Sequence, residues 1–363
     1  MMAAPLVTRE ALAVAVTANL PVILWGAPGT GKTSAVTALG AAVGLPVEVV
    51  VGSIREPSDF SGLPVLREGS TWFAPPRWAE RLSAEGAGLL FLDELTTAPP
   101  AVQAAMLRVV LERMVGDLVL PDEVRIVAAA NPPEQAADGW DLSAPLANRL
   151  IHLNWTVSAE DIAEGFAGGF PVPEFDVKDT AGPAEVAGAR ALVGAFLRVR
   201  PELVLAVPDG PDRAGRGWPS PRSWEMAARA VAACDHMGSG EPVLAELVLG
   251  AVGEAAGFEL LSWRRNLDLP DPKTLLNDPQ ARLPERLDRL HALLGAVVAY
   301  VHSDATADTW ERAWAVVARV ARTAPDVAAT AARSLARSRP EGAMLPRTML
   351  ELAPVLRAAG LMR

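Results

Sequence analysis

Eight consecutive residues, Gly26 to Thr33 (GAPGTGKT), set three glycines ahead of a lysine and a threonine. The spacing G-x-x-x-x-G-K-[ST] suits a polyphosphate: backbone N–H groups of Gly26, Ala27, Pro28 (through its neighbours), Gly29, Thr30 and Gly31 would line a concave nest at the positive start of the following helix. Lys32 would reach the β- and γ-phosphates and Thr33 would offer its hydroxyl to Mg²⁺. Lysine is scarce, with only Lys32, Lys178 and Lys273 in the chain, so one at this position is informative. The apolar run LLFL ends at Asp93 and Glu94, a pair suited to facing a metal with one carboxylate and polarising water with the other. Asn131, after VRIVAAA, is placed to orient the same water or touch the γ-phosphate; a turn-forming Asn before Pro132 is the competing reading. Arg149 precedes the last strand, where the residues leave open a local salt bridge or a reach into another subunit. Arg222 opens a helix, where the helix's positive end makes a cation unfavourable unless an anion such as phosphate is near.

The elements that must carry these groups are legible in the pattern. A helix capped by Thr8 stops before Pro21, and PVILW reads as a buried strand feeding the glycine loop. A helix over Ser34–Val43, a strand over Val47–Gly52, a helix over Pro75–Gly86 and the strand Leu89–Leu92 follow. The stretch REPSDFSGLP reads as a surface loop, because two prolines and Gly62 break both regular patterns. Pro99–Met114 has apolar residues at helical spacing, and a short hairpin then leads into a strand over Val124–Ala130. Leu150–Trp155 makes the fifth strand, and strands alternating with helices predict a parallel sheet. Beyond a Gly- and Pro-rich connector at Gly165–Pro183, helices are expected over Ala184–Arg200, Pro221–Cys234, Pro242–Leu261 and Pro284–Val301, and onward to the end.

Composition excludes several function classes. The 363 residues are half hydrophobic with a net charge of −10, which opposes non-specific binding to a phosphate backbone. The single Cys234 cannot close an intrachain disulfide, and the four histidines lack metal-ligand spacing. Apolar stretches such as Ala292–Val301 are too short for a membrane span, and the first ten residues lack a secretory pattern, which reads as cytoplasmic. The tail Glu311–Arg363 holds nine Arg against four acids, interleaved as on solvated helix faces.

With these residues assembled, the chain resembles the AAA+ ATPases, and within them the MoxR-like branch. The resemblance runs from about Thr8 to His236: GAPGTGKT as Walker A, LLFLDE as Walker B, AAAN as sensor 1, LANRL as the arginine-finger region, SPRSWE as sensor 2, and REPSDFSG similar to the loop after the second strand of MoxR proteins. It implies an α/β P-loop NTPase with a parallel sheet and a hairpin insertion in residues 1–165, an all-α lid with sensor 2 in 166–240, and a helical C-terminal region of unassigned role in 241–363. It implies ATP and Mg²⁺ as cofactors, a hexameric homo-oligomer, Arg149 acting on the neighbouring subunit's nucleotide and Arg222 on the chain's own γ-phosphate. Such ATPases remodel or mature protein complexes, often with a von Willebrand A-like partner. A nucleic-acid motor is the rival; the hairpin Val115–Pro121, carrying Asp117 but no Lys or Arg, weighs against it. A non-hydrolysing scaffold is the alternative from another class, opposed by the presence of Glu94, Asn131 and Arg149.

Overall fold

The computed structural model describes residues 5–132, 139–170, 172–210, 214–267, 269–270, 272–278, 280–304 and 306–358. Helix α1 (Leu6–Thr17) begins after Pro5, so Thr8 is not its cap. Thr8 lies buried in the first turn and donates to Glu246 Oε1 at 3.0 Å. There follow β1 (Val22–Trp25), α2 (Lys32–Ala42), β2 (Val47–Val51), the single turn α3 (Ser58–Ser61), β3 (Leu63–Arg67), β4 (Ser70–Ala74), α4 (Arg77–Glu85), β5 (Ala87–Asp93), α5 (Pro100–Glu112), β6 (Met114–Val115), β7 (Leu118–Val119), β8 (Glu123–Ala130), α6 (Ala144–Ala147), β9 (Ile151–Asn154) and α7 (Ala159–Gly168).

Five strands form one parallel sheet in the order β2-β5-β8-β1-β9. All four β1 side chains are buried, as are the last seven of β8, because helices cover both faces and leave no polar side for an alternating pattern. The strand order decides the site. It sets β1 beside β8, with Trp25 opposite Ala130, and β8 beside β5, with Ala128 opposite Leu92. The residues that leave the carboxyl ends of these three strands therefore gather at one edge: the glycine loop, Asn131, and Asp93 with Glu94.

The stretch expected as a loop is structured. After a tight turn at Gly52–Ile54 comes α3, and Leu63 begins an antiparallel hairpin. Its register, Arg67 opposite Ser70, leaves Glu68 and Gly69 as a two-residue turn, both with positive φ (52° and 80°) as such a turn requires. Pro64 is tolerated because a two-stranded ribbon leaves edges that need no amide donor. The second hairpin, β6-β7, clips onto this region. Gly116 N–H donates to Phe60 O at 3.0 Å, Asp117 N–H to Phe73 O at 3.0 Å, and Phe73 N–H to Asp117 Oδ2 at 2.8 Å. A Cβ on Gly116 would stand 2.4 Å from the Phe73 carbonyl oxygen, so the clip requires glycine.

The remaining helices are α8 (Pro183–Val199), α9 (Pro221–Met237), α10 (Glu241–Val252), α11 (Glu254–Arg265), α12 (Pro272–Asn277), α13 (Leu287–Asp304), α14 (Ala307–Ala321), α15 (Pro325–Arg337), α16 (Arg347–Glu351) and α17 (Ala353–Ala358). The single helix expected over Pro242–Leu261 is two, divided at Gly253, whose φ of 82° no helix continues through. Two compact units result, and they are not consecutive in sequence: Met1–Thr180 with Leu205–Phe258, and Ala181–Val204 with Glu259–Arg363. This division differs from three successive segments, 1–165, 166–240 and 241–363. The cause is α8, which packs along α13 with Gly295 against Ala191 and so joins the C-terminal helices. In the first unit α10 seats on β9, where a Cβ on Gly250 would fall 2.3 Å from His152 O. In the second, Trp310 and Trp314 of α14 centre an apolar core with α13 and α15. Among the described residues no helix is long and apolar enough to cross a membrane.

Candidate nucleotide site

The glycine loop leaves β1 with Gly26 N–H donating to Ala130 O at 3.1 Å, which ties it to the end of β8. Gly29 and Gly31 take φ values of 80° and 83°, a region closed to most side chains, and Gly31 caps α2. Lys32 is buried with its ammonium folded onto three acceptors: Gly26 O at 2.6 Å, Ala27 O at 2.9 Å and Asn131 Oδ1 at 3.2 Å. Burial pushes its pKa down, while the carboxylates of Asp93 and Glu94 act in the opposite direction. Thr33 donates its hydroxyl to Asp93 Oδ2 at 2.7 Å, and Asp93 Oδ1 accepts from Glu94 N–H at 2.9 Å. Lys32, Thr33, Asp93, Glu94 and Asn131, read from three distant stretches of sequence, thus form one cluster.

Glu94 has φ 56°, an uncommon and strained conformation for a residue with a Cβ, of the kind that gathers at functional sites. Its carboxylate is engaged by the Ser53 hydroxyl at the end of β2. Ser53 was not legible as a site residue; the only sequence signal was its place just after a strand. Thr96 Oγ1 donates to Asn131 O at 3.3 Å and steadies the start of the loop after β8. The donor set fits a magnesium nucleotide. A hydroxyl and a carboxylate are hard oxygen ligands, and Mg²⁺ commonly takes only one or two from protein, filling its octahedron with water and phosphate.

Arg149 and Arg222, in the same unit, lie close enough to feel each other's charge. Asn148, buried, donates from Nδ2 to Trp218 O at 3.0 Å and accepts from Ser220 Oγ at 2.6 Å. Ser220 caps α9, so this clamp brings the Arg149 segment to the helix start that bears Arg222. Arg149 donates from Nη1 to Pro145 O at 2.5 Å, and its buried Nε has no acceptor. Burial and the nearby Arg222 both lower its pKa. Two guanidiniums and a helix N-terminus, with no carboxylate paired to either arginine among the described residues, make a strongly electropositive spot. The charged neighbours of Lys32, by contrast, are Asp93 and Glu94.

An aromatic support behind the loop was not read from the sequence. Trp155 N–H donates to Trp25 O at 2.6 Å and its indole N–H to Thr30 O at 3.2 Å. Trp25 donates from Nε1 to His152 Nδ1 at 2.8 Å, and the Arg216 guanidinium lies 4.0 Å over the Trp25 ring. His152 Nε2 donates to Ala147 O at 3.0 Å, so the ring is the neutral Nε2–H tautomer, and complete burial pushes its pKa down to about 4. The available signal was a Trp immediately before the loop and another closing LIHLNW.

Residues 21–150 match the family model of the AAA domain, dynein-related subfamily. That stretch carries four of the five strands of the parallel sheet and the helices between them, so this α/β part has the fold of an AAA domain. No curated protein sequence matches the chain. Among solved structures it is similar to a "putative ATPase" from Cytophaga hutchinsonii, at 17% identity and a TM-score of 0.44, over 67% of this chain and 79% of that one. It is also similar to a full-length MCM homolog from Methanopyrus kandleri, at 18% identity and a TM-score of 0.38, over 70% of this chain and 54% of that one. At these scores nothing about substrate or partner transfers from either protein to this chain.

Proposed function

We propose that the chain is an ATP- and Mg²⁺-dependent ATPase of the MoxR-like branch, working as a hexameric ring in the cytoplasm to remodel or mature protein complexes beside a von Willebrand A-like partner. The observation that carries the ATPase reading is the cluster at the ends of β1, β5 and β8, where Lys32 is hydrogen-bonded to Asn131, Thr33 to Asp93 and Asp93 to the Glu94 amide, and the Asp93 and Glu94 carboxylates act on the Lys32 ammonium. In this reading the amides from Gly26 to Thr33 hold the phosphates, and Lys32 turns its ammonium from the Gly26 and Ala27 carbonyls toward them. Thr33 and Asp93 would hold a Mg²⁺ ion, which when bound would supply positive charge to offset that on the transferring group. Glu94, once released by Ser53, accepts a proton from water at its carboxylate oxygen, and the Asn131 amide orients that water.

Arg149 acts on the next subunit's nucleotide. The resemblance implies that Arg222 serves the chain's own γ-phosphate; its station beside Arg149 supports instead a shared role, with both cations offered to one anion. The test is subunit mixing. Lys32→Ala should bind no ATP, and Arg149→Ala should bind ATP without hydrolysing it. Mixed, they should regain turnover, because an intact loop then faces an intact arginine; normal turnover by demonstrably monomeric Arg149→Ala protein refutes the trans role.

A further inference from the structure

The arginine pair and the nucleotide cluster stand at opposite edges of the main sheet. Its strands are parallel, so residues that follow a strand share the carboxyl edge and residues that precede one share the amino edge. The glycine loop, Asp93 with Glu94, and Asn131 belong to the carboxyl edge. Arg149 belongs to the amino edge: two residues on, Ile151 N–H donates to Pro21 O at 2.8 Å, just before β1 begins. Arg222 is held with it by the Asn148–Ser220 clamp. The four residues of β1 between these levels span about 13 Å.

What the carboxyl edge exposes beside the cluster is aromatic and acidic. Trp140 N–H donates to Thr96 O at 2.7 Å, and the Thr96 hydroxyl donates to Asn131 O at 3.3 Å. Trp140 is thereby anchored both to the turn that follows Glu94 and to the end of β8. Its side chain is 52% exposed and meets no other ring or cation among the described residues. Asp141, next in the chain, is exposed and has no partner among the described residues. The amino edge exposes the complement. Arg222 is exposed, Arg149 is half-buried, and Pro145 and Pro221 are exposed next to them. A guanidinium is planar, so its face can lie on an indole while its N–H rim stays free for a phosphate.

We propose that Trp140 of one copy of this chain stacks on Arg222 of a second copy, seating Arg222 and Arg149 at the first copy's nucleotide cluster, with Asp141 drawing in the two cations. The inference rests on the reading of the chain as a homo-oligomer with arginines acting in trans, and it names the residues that position them. Both surfaces belong to the first unit. They are different surfaces, carboxyl edge against amino edge, so each copy can repeat the contact and a ring can close. Trp140 is a positioning residue: it acts on the phosphate only through Arg222.

The test is sedimentation velocity with Mg-ATP, with binding of a fluorescent ATP analogue and phosphate release measured on each variant. Trp140→Ala should weaken association about tenfold and lower turnover in step, while analogue binding per chain stays within about twofold. Trp140→Phe keeps a stacking face and should remain within about threefold of the wild type. Arg222→Ala should weaken association as Trp140→Ala does, and the double variant should be no worse than either, because one contact can be lost only once. Mixing the two single variants should restore part of the association, since Trp140 of one chain then meets Arg222 of the other. Undiminished association of Trp140→Ala, or single losses that multiply in the double variant, overturns the stacking and leaves the trans-arginine reading intact. A wild-type chain that hydrolyses ATP while monomeric at every concentration overturns the stacking and the ring together but not the ATPase. Association with the expected variant behaviour in a chain that binds no nucleotide upholds the stacking and defeats the ATPase reading.

Discussion

The nucleotide edge of the first unit and the groove between α8, α13 and α15 in the second differ in how their charges are met. At the edge, polar groups satisfy one another before any ligand arrives: Lys32 uses three acceptors, Thr33 binds Asp93, and Glu94 is held by Ser53. In the groove, Arg198 has no such partner, and the apolar floor beneath it stays open. The first is a preorganised site whose residues restrain one another, so a ligand exchanges existing hydrogen bonds for new ones. The second is an apolar surface beside which Arg198 stands exposed. Substitution of Glu94 at the edge should therefore act on chemistry at nearly constant affinity, whereas substitutions in the second unit should act on stability.

The largest expected effect is at the edge. Glu94→Gln should lower turnover by about a thousandfold while Mg-ATP affinity changes little, read by phosphate release and by equilibrium binding. A parallel loss of affinity would mean that the carboxylate holds ligand rather than activating water. Next comes the support behind the loop. His152 is buried and neutral, with its pKa lowered from the ordinary 6.5 to about 4, so below pH 6.5 the unfolded chain takes up a proton that the folded chain refuses. Stability should fall as pH drops from 6.5 toward 4, by up to about 3 kcal/mol, and urea midpoints across that range should flatten in His152→Gln.

In the second unit, Gly295→Val should cost about 2 kcal/mol, because its Cβ would overlap that of Ala191 on the opposing helix. Thermal unfolding should register the loss while Mg-ATP affinity stays within about twofold; a large affinity change would dissolve the contrast between the two regions. The smallest effect should be Ser53→Ala, which removes one hydrogen bond worth about 1 kcal/mol and frees Glu94. Basal hydrolysis should rise a few-fold, and a fall would show that Ser53 positions Glu94 rather than restraining it.

Much of the first unit was legible because its signals are local. PVILW, LLFL and VRIVAAA are short apolar runs bounded by turn residues, and each became a buried strand of the sheet. The hairpin Leu63–Ala74 escaped reading because its side chains are largely exposed and Pro64 and Gly62 resemble loop punctuation. Its identity lies in the Glu68-Gly69 turn and in the clip from Asp117, neither of which leaves an alternating pattern. Gly253 likewise divides a helix whose composition is continuous across it.

What the sequence determined alone was the chemistry available at each position: a glycine loop able to take positive φ, a lysine and threonine after it, and two acids at a strand end. Those are properties of residue type and close spacing, which the chain carries wherever it folds. What only the tertiary structure decided was adjacency. Strand order brought Asn131 to Lys32, the Asn148–Ser220 clamp brought Arg149 to Arg222, and the packing of α8 on α13 opened a groove from residues about a hundred positions apart. Such contacts follow from which buried surfaces fit together, a property of the whole packed chain that no local stretch encodes.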